Sequence, residues 1–87
     1  MTEEVVILSG SRTAIGSFGG SLKSVSPIDL GTLVAKEAIK NSGIEKERIE
    51  HVVFGHVINT EPKDMYLSRV ISLNAGIPIS VASMNVN

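Results

Sequence analysis

The sequence predicts an α/β fold with a mostly parallel sheet, and three observations predict it. Apolar, β-branched runs alternate with helix-period stretches in the order strand, loop, helix, strand, helix, strand. The first run, Val5-Val6-Ile7-Leu8, is apolar at every position, as a strand covered on both faces requires. Each helical stretch is bracketed by its own start and stop residues. Such alternation favours right-handed parallel crossovers.

Taken in order, the strand over 5–8 closes at Ser9-Gly10, and residues 11–22 form a loop rich in Gly and Ser. Gly16, Gly19 and Gly20 permit tight turns there. A phosphate cradle would need a Gly-Lys-Ser/Thr ending or a G-x-G-x-x-G run, and the loop has neither. The first helix is expected over 27–42. Ser26 stands at the N-cap, Pro27 at the first helical position and Asp29 at the third, where its charge suits the helix dipole. Leu30, Leu33, Val34, Ala38 and Ile39 make the expected apolar stripe, with Lys36, Glu37 and Lys40 opposite. Gly43 supplies the left-handed cap.

Residues 45–50 read as a charged surface turn holding one helical turn. The second strand is expected over 51–58, with Val52, Phe54 and Ile58 on one face and Val53 and Val57 on the other. A loop over 59–63 contains Pro62. Asp64 then reads as the N-cap of a second helix over 65–75, with Leu67, Val70, Ile71 and Asn74 as its stripe and Gly76 as its stop. Pro78 keeps the chain extended into a third strand over 81–87. There Ala82, Met84 and Val86 alternate with Ser83, Asn85 and Asn87.

Composition narrows the function. The chain has 87 residues, a net charge of -1, 43% hydrophobic and 20% charged residues, which fits one small globular segment. Near-neutral charge offers no electrostatic basis for nucleic acid or an anionic membrane as partner. No cysteine means no disulfide, thiolate metal site or thiol nucleophile within these residues. The acidic opening Thr2-Glu3-Glu4 and the absence of a long apolar run point to a cytoplasmic protein without a membrane span. Aromatics are only 3%, and neither disulfide nor metal compensates for so small a core. Three strands and two helices cannot cover both faces of a sheet, so the expected whole is an incomplete domain over 1–87, completed from elsewhere.

The candidate residues each carry two readings. His51 and His56 point to opposite faces of a strand and cannot share an ion, so no metal site is assigned. Arg12 and Arg69 could hold an anion or serve as structural salt-bridge donors. Glu45, Glu47 and Glu50 sit among Lys46 and Arg48, as on a solvated surface. Met65 and Tyr66 could line a pocket or pack in the core. Ser83, Asn85 and Asn87 are poor strand formers on one face. They mark either an exposed edge strand or a strand that delivers polar groups to an interface or reaction centre.

The motifs Arg12-Thr13-Ala14-Ile15-Gly16-Ser17-Phe18-Gly19-Gly20-Ser21-Leu22, Asp29-Leu30-Gly31 and Val53-Phe54-Gly55-His56-Val57 together resemble the N-terminal region of the thiolases. Ser68-Arg69, Asn74-Ala75-Gly76-Ile77-Pro78 and Met84-Asn85-Val86-Asn87 continue the likeness in order. The variant Glu61-Pro62-Lys63-Asp64-Met65-Tyr66-Leu67-Ser68-Arg69 resembles bacterial β-ketothiolases. The resemblance implies a thiolase-like fold, of which this chain is the first βαβαβ portion of the N-terminal half. It implies acyl transfer between acyl-CoA and CoA through a cysteine acyl-enzyme, with coenzyme A a substrate and no cofactor. The cysteine would follow Asn87 and the other catalytic groups would lie further on, so no catalytic or substrate-binding residue is assigned here. Asn85 and Asn87 are expected only to support the nucleophile's helix turn. The resemblance further implies a homodimer or homotetramer with the last strand at the dimer interface, and the rest of the polypeptide as the chain's partner. The alternative reading is a non-catalytic α/β module that binds a ligand or partner through the Gly-rich loop.

Overall fold

The computed structural model describes residues 3–87. Its regular elements are α1 (Pro27–Ser42), a 3₁₀ turn (Lys46–Arg48), β1 (His51–Gly55), a second 3₁₀ turn (Pro62–Tyr66), α2 (Leu67–Asn74) and β2 (Ala82–Val86). The two strands pair in parallel, with His51 opposite Ala82 and Gly55 opposite Val86. Both helices pack on one face of this ribbon. Val52 joins Ala75, Ile77 and Val81 in one apolar cluster, and Ile28, Leu67 and Ile71 form a second, with Ala35 and Phe54 touching both.

Local signals place α1 as expected. Ser26 takes an extended backbone and its hydroxyl accepts the Asp29 N–H at 3.1 Å, while Gly43 closes the helix at φ 75°. The buried stripe, however, runs through Ile28, Gly31, Ala35 and Ile39 rather than through Leu33, which is exposed. Small residues win because α1 must come close to α2. A Cβ on Gly31 would overlap Ile71 Cδ1 and stand 3.1 Å from Ile71 Cγ1 and 3.7 Å from Phe54 Cε1.

The strand expected over 5–8 does not form. Val5 and Ile7 are 96% and 93% exposed. A strand apolar on both faces needs neighbours on both edges and a layer on each side, whereas this ribbon has two strands and helices on one face only. The segment is held instead along α1. Ser9 Oγ donates to the Ala38 carbonyl at 2.6 Å and Ser11 Oγ to the Val34 carbonyl at 2.7 Å, so it runs antiparallel to the helix.

Two further boundaries move. β1 ends at Gly55 rather than at residue 58, because the ladder closes where His56 N donates to the Val86 carbonyl at 2.7 Å. Ile58 therefore lies outside the strand and exposed. The second helix starts later than expected, at Leu67, after the 3₁₀ turn. It stops as expected: Gly76 N donates to Leu73 O and Ile77 N to Ser72 O, a Schellman closure that seats Ile77 in the core.

Of the two readings of β2, the structure shows its polar face turned inward. Ser83 and Asn85 turn toward α2, while Met84 and Val86, with Val53 beside them on β1, remain 47%, 42% and 50% exposed on the far side. The helix explains this. Ser68 and Ser72, one turn apart, are buried on α2 beside Leu67 and Ile71, and Asn85 Oδ1 accepts the Ser68 backbone N–H across this contact.

Candidate functional site at the carboxyl ends of the strands

In open α/β sheets, ligands gather where the carboxyl ends of parallel strands meet the loops that follow them. Here that end carries His56, Asn85 and Asn87, with the 56–66 segment folded beside them. Its centre is Asp64. Between His56 and Leu67 every other residue is exposed, yet Asp64 is 0% exposed. The loop is thus fastened by one buried carboxylate.

Asp64 was expected to cap α2, and it does not. Its oxygens turn back to the loop and accept the Thr60 N–H at 3.0 and 2.9 Å, the Thr60 hydroxyl and the Glu61 N–H. His56 Nε2 lies 3.4 Å from Asp64 Oδ1, long for a hydrogen bond but a charge contact when the imidazole is protonated. Burial pushes the Asp64 carboxyl up, but the Thr60 side chain, the Thr60 and Glu61 backbone and His56 outweigh it and hold it below the ordinary carboxylate value.

The cap that Asp64 does not provide comes from β2. Asn85 Oδ1 accepts the Ser68 N–H at 2.9 Å, satisfying an orphan donor in the first turn of α2, and Asn85 Nδ2 donates to the Met65 carbonyl at 3.1 Å. One amide therefore ties the strand end to the 3₁₀ turn and to the helix. Met65 and Tyr66, neither of them core residues, are exposed on that pinned turn. Asn87 lies exposed beyond the end of β2.

Of the two arginines Arg69 is structural, and among the described residues neither joins a carboxylate. Arg69 Nη1 and Nη2 donate to the carbonyls of Val81 and Ile79 at 2.9 and 2.7 Å, bracing the turn into β2. Arg12 reaches only its neighbour, the Thr13 carbonyl. His51 and His56 do not converge, and no three metal-ligating side chains cluster among the described residues. A groove lined by Lys36, Ile39, Lys40, Ile44, Lys46 and Glu47 lies at the C-terminal end of α1 and shares no residue with this site.

Sequence reasoning singled out Asn85 but missed Asp64, Thr60 and His56 as a unit. The available signal was an Asp four residues after a Thr across a Pro-containing loop, a spacing that serves a closed turn as well as a helix start.

Residues 5–87 match the family described as Thiolase, N-terminal domain. The chain belongs to the thiolase family. It is 54% identical over 87 residues to the beta-ketothiolase BktB of Cupriavidus necator, covering 100% of this chain and 22% of that protein. The thiolase portion therefore spans about a fifth of that relative's length. The crystal structure of the Bacillus anthracis acetyl-CoA acetyltransferase superposes with a TM-score of 0.84 at 36% identity, over 93% of this chain and 20% of that one. That of the Acat5 thiolase from Ascaris suum in complex with coenzyme A gives 0.81 at 40% identity, over 91% and 21%. The α/β thiolase fold is thereby shown. No helix among the described residues is long and apolar enough to cross a membrane.

Proposed function

We propose that this chain is the N-terminal domain of an acyltransferase that moves an acyl group between acyl-CoA and CoA, in the reversible condensation and thiolysis of 3-ketoacyl-CoA. The observation that carries this reading is thiolase membership over residues 5–87. The coenzyme A bound by the Ascaris suum relative supports CoA thioesters as the substrate class. The nucleophile is a cysteine supplied by polypeptide beyond Asn87. A thiolate at a helix N-terminus is acidified there and exchanges readily with a thioester, so one hard condensation becomes two easier steps.

In this scheme the described residues position rather than react. Asn85 and Asn87 support the turn that follows β2, and Asn85 does so through the Met65 carbonyl and the Ser68 N–H. Among the described residues β2 pairs only with β1, and its open second edge supports pairing with a second copy along that strand.

Mixing the intact polypeptide with acetoacetyl-CoA and CoA tests the reading. The expected result is cleavage to acetyl-CoA, with none from residues 1–87 alone. Failure of the intact polypeptide to cleave any 3-ketoacyl-CoA overturns the reading, and turnover by the 87-residue chain would place the chemistry on different residues.

A further inference from the structure

We propose that Asp64 is a positioning residue for the carboxyl end of β2, acting through the Met65 carbonyl and Asn85. The inference rests on the thiolase reading, which places the reaction centre just beyond that strand end. Two observations carry it. First, Asp64 is the sole buried residue between His56 and Leu67, and three donors from Thr60 and Glu61 converge on it. The 3₁₀ turn Pro62–Tyr66 is built around that anchor, so the orientation of the next peptide, Met65 to Tyr66, follows from it. Second, the Met65 carbonyl is the acceptor for Asn85 Nδ2, and the other end of the same amide holds the Ser68 N–H. An amide rotor fastened at both ends cannot turn without losing both bonds.

The chain of contacts thus runs from the Asp64 carboxylate through the turn to Asn85 and the β2 backbone. His56 closes it from the other side, because its N–H donates to the Val86 carbonyl at 2.7 Å while its ring faces Asp64. Asp64 therefore meets the end of β2 by two routes. Arg69, the charged side chain of α2, is committed to the Ile79 and Val81 carbonyls and takes no part.

The test uses the intact polypeptide, with steady-state thiolysis of acetoacetyl-CoA and amide exchange at Ser68 as separate readouts. Asp64→Asn keeps the shape and places an NH₂ against the Thr60 and Glu61 N–H groups. It is expected to lower kcat per folded enzyme about tenfold with KM within about twofold, since misplacement beside a reaction centre acts on the chemical step. Asn85→Ala lowers kcat by a similar factor. The double variant falls about tenfold rather than about a hundredfold, because both substitutions break one link. Ser68 N–H exchange in Asp64→Asn quickens about tenfold. Should Asp64→Asn fail to fold, Thr60→Val removes one donor and is expected to give the same split at about threefold. Unchanged kcat and unchanged Ser68 exchange overturn the inference, as do losses that multiply in the double variant. A wild-type polypeptide without thiolysis, but with Ser68 exchange quickened by Asp64→Asn, supports the link and sinks the thiolase reading alone.

Discussion

Replacing Gly31 with alanine is expected to destabilise the intact protein by about 2 kcal/mol, the usual cost of overpacking a tight helix contact. The added Cβ would overlap Ile71 Cδ1, and Ile71 is only 1% exposed, with no room to swing away. Phe54 Cε1 at 3.7 Å closes the other side. The overlapping atom makes the claim specific. Ile71→Val removes Cδ1 and alone costs about 1 kcal/mol. Combined with Gly31→Ala it relieves the clash, so the double variant is less destabilised than the sum of the two by about 1 kcal/mol. Urea midpoints of the four proteins check this. Additive losses would mean that α1 and α2 do not meet at this point.

Asp64→Asn is expected to flatten the acid limb of the stability curve. The folded carboxyl lies below its ordinary value because the Thr60 and Glu61 donors and His56 outweigh burial. A depressed carboxylate stabilises the fold above the unfolded value of about 3.9 and loses that contribution as pH falls through the lower folded value. Wild type and variant should therefore differ most above about pH 5 and converge as pH falls through the lowered folded value. Denaturation of the intact protein across that range decides it. Curves that stay parallel would show that the buried carboxylate is not proton-linked to folding.

What could be read from the residues alone follows the range of the interactions involved. The α1 caps are local, so Ser26, Pro27 and Gly43 located that helix to the residue. The Gly76 stop of α2 is equally local. The segment over 5–8 looked like a strand because its composition suits burial, but a strand exists only with partners, and none lies beside it among the described residues. Asp64 ahead of an apolar run looked like a helix start. Thr60, four residues upstream, claimed its carboxylate for a turn, and Asn85, far along the chain, took over the capping.

The polar face of β2 shows the same limit from another side. Its alternation was plain, but which face turns inward depended on the first turn of α2. Asn85 turns inward to accept the Ser68 backbone N–H, a contact across 17 residues that the alternation of β2 alone does not reveal. The thiolase likeness was legible for a different reason: its motifs cover nearly the whole chain in a fixed order, and the family match over residues 5–87 bears it out.

The role of the β2 end is tested most directly by thiolysis of acetoacetyl-CoA by the intact polypeptide carrying Asn85→Ala, compared with wild type where both are fully folded. The wild type is expected to be active and the variant's kcat to fall about tenfold while KM stays within about twofold. Equal kcat in the two proteins would contradict that role.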